Sequence, residues 1–180
     1  MRHNEITIER IEELRLTPER ENEIAKLLDE VFSVDFEGRS FFQNRHHCRF
    51  MAYQENELVG HLAIAYRAIQ MGERRIDVVG IGEVAVATNA RKQGIATQLV
   101  QCALEEARLA HADFATLFGE EALYAKAGFI KAPNVITLIE MEGAKTSKIV
   151  RETNAHFMVN ALGDLNWDEN APIDLAGFPY

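Results

Sequence analysis

The sequence has little cysteine: Cys48 and Cys102 are the two in 180 residues, they stand at no metal-ligand spacing, and they imply no disulfide framework. It has no apolar run long enough to span a membrane. The first residues, Met1-Arg2-His3-Asn4-Glu5, lack the apolar stretch of a secretory leader. These absences lead us to expect a cytoplasmic chain in a reduced setting, with no membrane partner. Basic residues are outnumbered, 19 against 28 acidic ones, for a net charge of −9. Nucleic-acid binders neutralise phosphates with a basic surface, so a nucleic-acid partner is not expected. An acidic balance admits a cationic small-molecule partner and equally serves solubility. Internal repeats and low-complexity tracts are missing too.

The length and ordinary globular composition suit one domain, 1–180, able to bury a real core. Ile6 to Ile11 forms a weak first strand pattern. Thr17-Pro18 is a helix start, Thr as N-cap and Pro at the first helical position, and Ile24, Leu27, Leu28 and Val31 recur at helical spacing, which predicts a helix from Pro18 to Phe32. Between Ser33 and His47, Gly38 breaks the chain and Ser40-Phe41-Phe42 reads as the start of a short helix. His46-His47-Cys48 does not read as a metal site, because adjacent residues near a strand start point in different directions and no further ligand converges on them.

Arg49 to Tyr53, Leu58 to Gln70 and Arg75 to Thr88 read as strands, the second and third apolar on both faces as in the middle of a covered sheet. His61 lies in one of them and reads as a buried, hydrogen-bonded histidine or, less economically, as a base. Gly80 and Gly82 fall on one face of the third strand, where two missing side chains would leave a slot for a ligand. Gly94 to Ala110 is an amphipathic helix with Ile95, Leu99, Val100, Ala103, Leu104 and Ala107 on its apolar face. Asp113 to Phe118 is a short strand and Gly119 to Ala127 a short helix closed by Gly128. Phe129 to Met141 is strand material interrupted by Pro133-Asn134, Glu142 to Lys148 a polar connection, and His156 to Leu162 the last strand. The acidic tail, 163–180, carries Trp167, Phe178 and Tyr180, more aromatic than a disordered tail, so it is expected to pack back on the domain.

The stretch 80–110 organises the rest. A buried strand runs into the turn Asn89 to Ala96, and a helix follows. Helix starts carry unpaired N–H groups and the positive end of the helix dipole, so they bind phosphate when small residues let it approach. Gly94 and Ala96 give that access, and Arg91 and Lys92 give charge. Small residues also open helices that bind nothing, so the turn by itself decides little. Its context decides more: Val84-Ala85-Val86, four residues, then Arg91-x-x-Gly94-x-Ala96 and a helix resembles the acetyl-CoA motif of the GNAT N-acetyltransferases. Downstream, Leu123-Tyr124-Ala125-Lys126-Ala127-Gly128-Phe129 looks like the Tyr-x-x-x-Gly-Phe element of that family. The resemblance spans roughly Thr17 to Leu162 and is strongest between Leu58 and Phe129.

The resemblance implies the α/β GNAT fold, a mixed and mostly antiparallel sheet with helices on both faces. It implies acetyl-CoA as acyl donor, held by Val84, Ala85 and Val86 along the strand and by Arg91, Lys92, Gln93, Gly94, Ile95, Ala96 and Thr97 at the turn, with no metal. The implied reaction is direct transfer of acetyl to a primary amine of a small substrate, cationic in the manner of an aminoglycoside or polyamine. The tail is similar to that of the aminoglycoside 2'-N-acetyltransferase branch. Tyr124 matches the family's acid, protonating the departing thiolate. Glu83 is the candidate base, although strand alternation puts it opposite Gly82 and Val84 unless a bulge intervenes. The family's usual base positions fall on Gly80 and Gly82, and its pantetheine-contacting asparagine falls on Leu117. A water chain ending at a carboxylate of Tyr180, or an amine of low pKa, would make a dedicated base unnecessary. In the segment 33–47, which lines the acceptor site in the family, Asp35, Glu37, Phe41 and Phe42 would grip an amine, or else the rings are core and the acids solvated. Other readings of the same residues are an acyl-CoA sensor without turnover, a general nucleotide binder, and an acyltransferase for longer donors using the room at Gly80 and Gly82. An exposed apolar strand edge would support a homodimer, but no such edge is identifiable in the sequence.

Overall fold

The computed structural model describes residues 5–180; Met1 to Asn4, on which the reading of a missing leader rests, lie outside the described residues. The chain divides into two compact units, one made of 1–64 and 83–103 and the other of 65–82 and 104–180, so two strands and one helix pass from one unit into the other.

The first unit opens with β1 (Ile6–Glu12) and α1 (Pro18–Val31). Thr17 caps α1 as its side chain accepts a hydrogen bond from the Arg20 N–H, and Ile24, Ala25, Leu27 and Leu28 are the face it buries. The chain then runs through an irregular segment to β2 (Cys48–Gln54) and β3 (Glu57–Met71). β1 pairs antiparallel with β2, Ile6 opposite Gln54 and Glu12 opposite Cys48, and β2 pairs antiparallel with the first half of β3. The last residues of β4 (Arg74–Val86) and the first turns of α2 (Ile95–Leu109) complete the unit. Gly60 is what lets α2 lie close on β3: a Cβ there would come within 2.7 Å of Ile95 and 3.1 Å of Leu99.

The second unit is built on a mixed sheet in the order β6-β9-β5-β4-β3-β10-β7-β8. Its further strands are β5 (Phe114–Phe118), β6 (Ile130–Lys131), β7 (Val135–Glu142), β8 (Lys145–Thr153), β9 (Phe157–Ala161) and β10 (Ile173–Asp174), with the short α3 (Glu121–Tyr124) after β5. β4 with β5 and β10 with β7 are parallel, whereas β5 with β9, β6 with β9, β10 with β3 and β7 with β8 are antiparallel. The core gathers Ile69, Ile76, Val78, Phe114, Ile136, Phe157, Val159, Ile173 and Leu175.

The tail packs back as its aromatics suggest. Trp167 stands edge-on to Phe114 at 5.0 Å and donates to Asn134 Oδ1 at 2.9 Å. Asn134 in turn donates to the carbonyls of Asp168 and Ala171, so the Pro133-Asn134 interruption is the anchor of the tail. β10 then slots between β3 and β7, so the strand at His156 to Leu162 is not the last one.

Three expectations need correction. Ser40-Phe41-Phe42 starts no helix: the Ser40 and Phe42 carbonyls accept from Arg49 and Arg39, the Phe42 N–H donates to Glu83, and the segment is turns and bends. Glu142 to Lys148 is no mere connection, since the turn is only Gly143-Ala144 and β8 begins at Lys145. Tyr66, within the stretch Leu58 to Gln70 read as apolar on both faces, is instead 41% exposed and donates its hydroxyl to the Ala110 carbonyl. No helix among the described residues is long and apolar enough to cross a membrane.

Candidate active site

In the first unit, β4 ends and the turn begins. The parallel ladder of β4 with β5 runs from Val78–Phe114 to Ile81–Leu117 and stops there, five residues before β4 does. Along the end of β4, Ala85 is buried while Val84 and Val86 are half-buried. A single turn of 3-10 helix, Thr88–Ala90, follows, fixed by the Ala90 N–H donating to Ala87 O at 2.9 Å and by the Thr88 N–H donating to Glu30 Oε1 at 2.8 Å. Then the backbone turns left-handed twice, at Lys92 (φ 64) and Gly94 (φ 80). Such alternation swings neighbouring N–H groups to one side and makes an anion-binding concavity. Arg91, Lys92, Gln93, Gly94 and Thr97 are exposed, Ala96 is half-buried, and Ile95 is the buried anchor. A Cβ at Gly94 would meet nothing within 4 Å, so the ground in front of the helix start is open. α2 is long enough, at 15 residues, to present a full dipole there.

Glu83, also in the first unit, has φ 50, a left-handed residue inside a strand. That is the irregularity the alternation argument required, and it turns the Glu83 carbonyl to His61 Nδ1 at 2.8 Å. A carbonyl only accepts, so Nδ1 carries the proton, and His61 Nε2 accepts from Arg49 Nη1 at 3.2 Å. His61 is thus the buried, bonded histidine. Burial, with the Arg49 charge beside it, lowers its pKa to about 3.

The Glu83 carboxylate is held on several sides. Its Oε1 accepts from the Phe42 N–H at 2.8 Å, and its Oε2 lies 3.3 Å from Arg49 Nη1 and 3.1 Å from His46 Nε2. The His46 approach is close enough for an ion pair without hydrogen-bond alignment. Burial pushes the Glu83 carboxyl up; the neighbouring His46 and the Arg49 guanidinium outweigh it, and the net shift is downward.

Arg49 itself is fully buried. It grips Glu13 with two prongs, Nε to Oε2 at 2.7 Å and Nη2 to Oε1 at 3.0 Å, and donates to Ser40 O at 2.7 Å. Sequence reasoning missed this cluster. Beside His61 and Glu83, an arginine between Cys48 and the apolar run Phe50, Met51 and Ala52 was its further trace.

The segment before β2 is less open than its composition suggests. Phe36 is the buried ring, stacked near Phe32 and Phe42, while Phe42 is 38% exposed. Phe41 carries an arginine over its ring twice, Arg39 at 5.4 Å and Arg45 at 4.7 Å. Asp35 and Glu37 are exposed, Asp35 accepting from the Glu37 N–H and Glu37 paired with Arg39.

The second unit holds Tyr124 at the last residue of α3. Its ring lies against Phe129 and fits because residue 119 is glycine, where a Cβ would fall on the ring. Leu123, its neighbour, points to solvent. Burial raises the Tyr124 pKa, so the phenol keeps its proton at neutral pH. Gly128, at φ 93, closes the following 3-10 turn. Leu117 is a core strand residue opposite Ile81 and Met158.

The slot expected at Gly80 and Gly82 exists, and the second unit fills it. A Cβ on Gly80 would fall inside the Tyr180 ring, and one on Gly82 would come within 2.8 Å of the Tyr180 carbonyl carbon.

Comparison with known proteins bears on this geometry. Residues 14–132 match the family model described as the acetyltransferase (GNAT) domain. Among solved structures, a GNAT family N-acetyltransferase (YhbS) from Escherichia coli in complex with CoA is similar at TM-score 0.63 and 21% identity, covering 94% of this chain and 87% of that one. A GNAT family acetyltransferase from Brucella melitensis in complex with acetyl-CoA is similar at TM-score 0.62 and 18% identity, covering 95% and 96%. A GCN5-related N-acetyltransferase from Anabaena variabilis shares 25% identity at TM-score 0.58 over 70% of this chain and 32% of its own. No curated protein matches significantly.

Proposed function

The chain belongs to the GNAT acetyltransferase family, whose model covers about two thirds of it, and on that premise we propose that it transfers acetyl from acetyl-CoA directly to a primary amine of a small substrate. The observation that carries the reading is the open turn at the start of α2, with left-handed Lys92 and Gly94 and exposed Arg91. Donor pyrophosphate lies on the N–H groups of 91–97, and the pantetheine arm runs back along Val86, Ala85 and Val84. That two structures sharing the fold hold CoA and acetyl-CoA supports this choice of donor.

The amine nitrogen attacks the thioester carbon, and the oxyanion that forms takes hydrogen bonds from strand N–H groups of Val84 to Val86. The C–S bond then breaks, and Tyr124 donates its proton to the sulfur. Glu83 takes the proton from nitrogen through water. Its lowered pKa makes it a poor base toward a free ammonium, so it acts on the more acidic nitrogen of the tetrahedral adduct. The acceptor is a small amine. A net charge of −9 favours a cationic one, with aminoglycosides and polyamines first among those to try.

Calorimetric titration with acetyl-CoA, and with ATP as control, tests the donor site. Saturable heat with acetyl-CoA and none with ATP is the expected result. Equal binding of ATP would mean a general phosphate site, and silence from folded protein toward acetyl-CoA would end the proposal.

A further inference from the structure

The second unit holds a cavity that the proposed reaction does not use. It measures about 380 Å³ and lies where the sheet runs out: β6 pairs with β9 only at Val159 and Met158, which leaves that edge of β9 without a strand beside Asn160 and Ala161. Ile130, Leu165 and the indole of Trp167 supply its apolar lining. The indole N–H is engaged by Asn134 Oδ1, and the ring is wedged edge-on to Phe114 and tilted to Phe157 at 6.1 Å. What it has left to offer a ligand is ring surface. Asn160 is only 7% exposed. Its Nδ2 donates to Ala127 O at 2.8 Å, so Oδ1 is the other end of the amide, and it takes no hydrogen bond among the described residues. Gly128 lines the cavity beside it. A Cβ there would stand 3.1 Å from Nδ2 and 3.7 Å from Oδ1, so the missing side chain keeps the amide uncovered. A buried carbonyl oxygen without a donor costs stability until water or a ligand supplies one. Glu169, exposed, is the single charged side chain among the described residues of the lining.

We propose that this cavity binds a small organic ammonium ion with a short apolar stem. The stem lies against Trp167, Ile130 and Leu165, the ammonium donates to Asn160 Oδ1, and Glu169 supplies the opposite charge. The lining decides the sign of the ligand. Its two buried donors, Trp167 Nε1 and Asn160 Nδ2, are both engaged within the fold, and neither lysine nor arginine stands among the lining residues. An anion would therefore meet the like charge of Glu169 and no buried donor. A neutral molecule of the same shape would keep the apolar contacts and lose the attraction to Glu169 and to the indole ring. The cavity is built within one unit, and the inference is independent of the donor reading above.

Trp167 is the only tryptophan of the chain, so its emission reports on the cavity directly. The full chain, without acetyl-CoA, is titrated at constant ionic strength and neutral pH with isopentylamine, which is then an ammonium ion, and with two molecules of similar shape, isopentanol and isovalerate. Isopentylamine is expected to give a saturable change in emission and to bind about fivefold more tightly than isopentanol, with isovalerate silent. Ala161→Leu, at an exposed position of the lining, narrows the cavity without entering the core and should abolish the saturable change. Glu169→Gln should cut the preference for the amine over the alcohol by about twofold or more. Both variants are checked for a cooperative thermal transition. Silence from isopentylamine on folded wild-type protein overturns the proposal. Equal binding of isopentanol overturns it too, by making the cavity a plain apolar hollow, and so does tighter binding of isovalerate. A wild-type response in folded Ala161→Leu would put the ligand elsewhere and end the proposal, and a preference unchanged in Glu169→Gln would end the assignment of its charge. None of these outcomes bears on acetyl-CoA, whose binding is read separately.

Discussion

At the scale of single residues, Tyr124 and Glu83 are treated in opposite ways by their surroundings. Tyr124 sits against Phe129 and over Gly119, and burial is the cause that raises its pKa. Glu83 is held by a backbone N–H, an arginine and a histidine, and its pKa falls. One group keeps its proton and the other stays without it, the protonation states that the proposed acid and proton acceptor each require. Tyr124→Phe keeps the ring and loses the proton, so kcat should fall by about a hundredfold while affinity for acetyl-CoA, measured by calorimetry, stays within a factor of about two. An unchanged kcat would assign Tyr124 to packing. Glu83→Gln can still accept the Phe42 N–H but cannot take a proton. Its kcat should fall across the pH range, and the ionisation that limits the wild-type rate at low pH should vanish from the profile. A profile of wild-type shape after that substitution would leave Glu83 only the task of holding the 40–46 segment.

Among the elements, the turn from β4 to α2 is the one whose backbone conformation carries the proposed chemistry. Gly94 at φ 80 faces open space, so an added methyl would meet no protein atom and would act only through backbone strain and by standing where a phosphate would lie. Placing an L residue in that conformation costs about 1–2 kcal/mol. Gly94→Ala should therefore lower the melting temperature modestly and weaken acetyl-CoA binding by more than that strain accounts for, with the loss seen in titration. Wild-type affinity in the variant would mean the donor phosphates sit elsewhere. This turn was legible in the sequence because its signals are local: small residues, two cations and the onset of helical spacing. The helix starts and the glycine C-cap were legible for the same reason. β8 was not, because an outer strand with nearly every side chain exposed has no buried face to impose alternation, and Lys145 and Lys148 read as loop. β10 is two residues long, and only its partners β3 and β7 make it a strand. The same limit hid the pairing of Tyr180 with Gly80, about a hundred residues apart. The glycines announced a vacancy, and nothing local named its occupant.

For the molecule as a whole, acid is the condition under which the buried polar cluster matters most. His61 is neutral in the fold, donating to Glu83 O and accepting from Arg49, and its pKa is lowered from 6.5 to about 3. Arg49 and His46 face it as charges that oppose its protonation, and Glu83 faces it as one that favours it. Unfolded chain protonates near 6.5 and folded chain resists until about 3, so the contribution to stability is complete above 6.5 and is lost as pH falls through that window. Each pH unit within it is worth about 1.4 kcal/mol. Glu13 and Glu83, both with lowered pKa values, add losses of the same sign that begin only near their ordinary 4.5. Against these runs the relief of self-repulsion as the charge of −9 is titrated toward zero, a diffuse and salt-screened term that is weaker than a buried imidazole. Urea unfolding at successive pH values should show stability declining already between 6.5 and 4.5, before the carboxylates take part. His61→Gln can donate to the Glu83 carbonyl and accept from Arg49 without titrating, so in that variant the decline should wait until about 4.5, where the acids take over. A decline of wild-type slope in the variant would place the acid sensitivity outside this cluster.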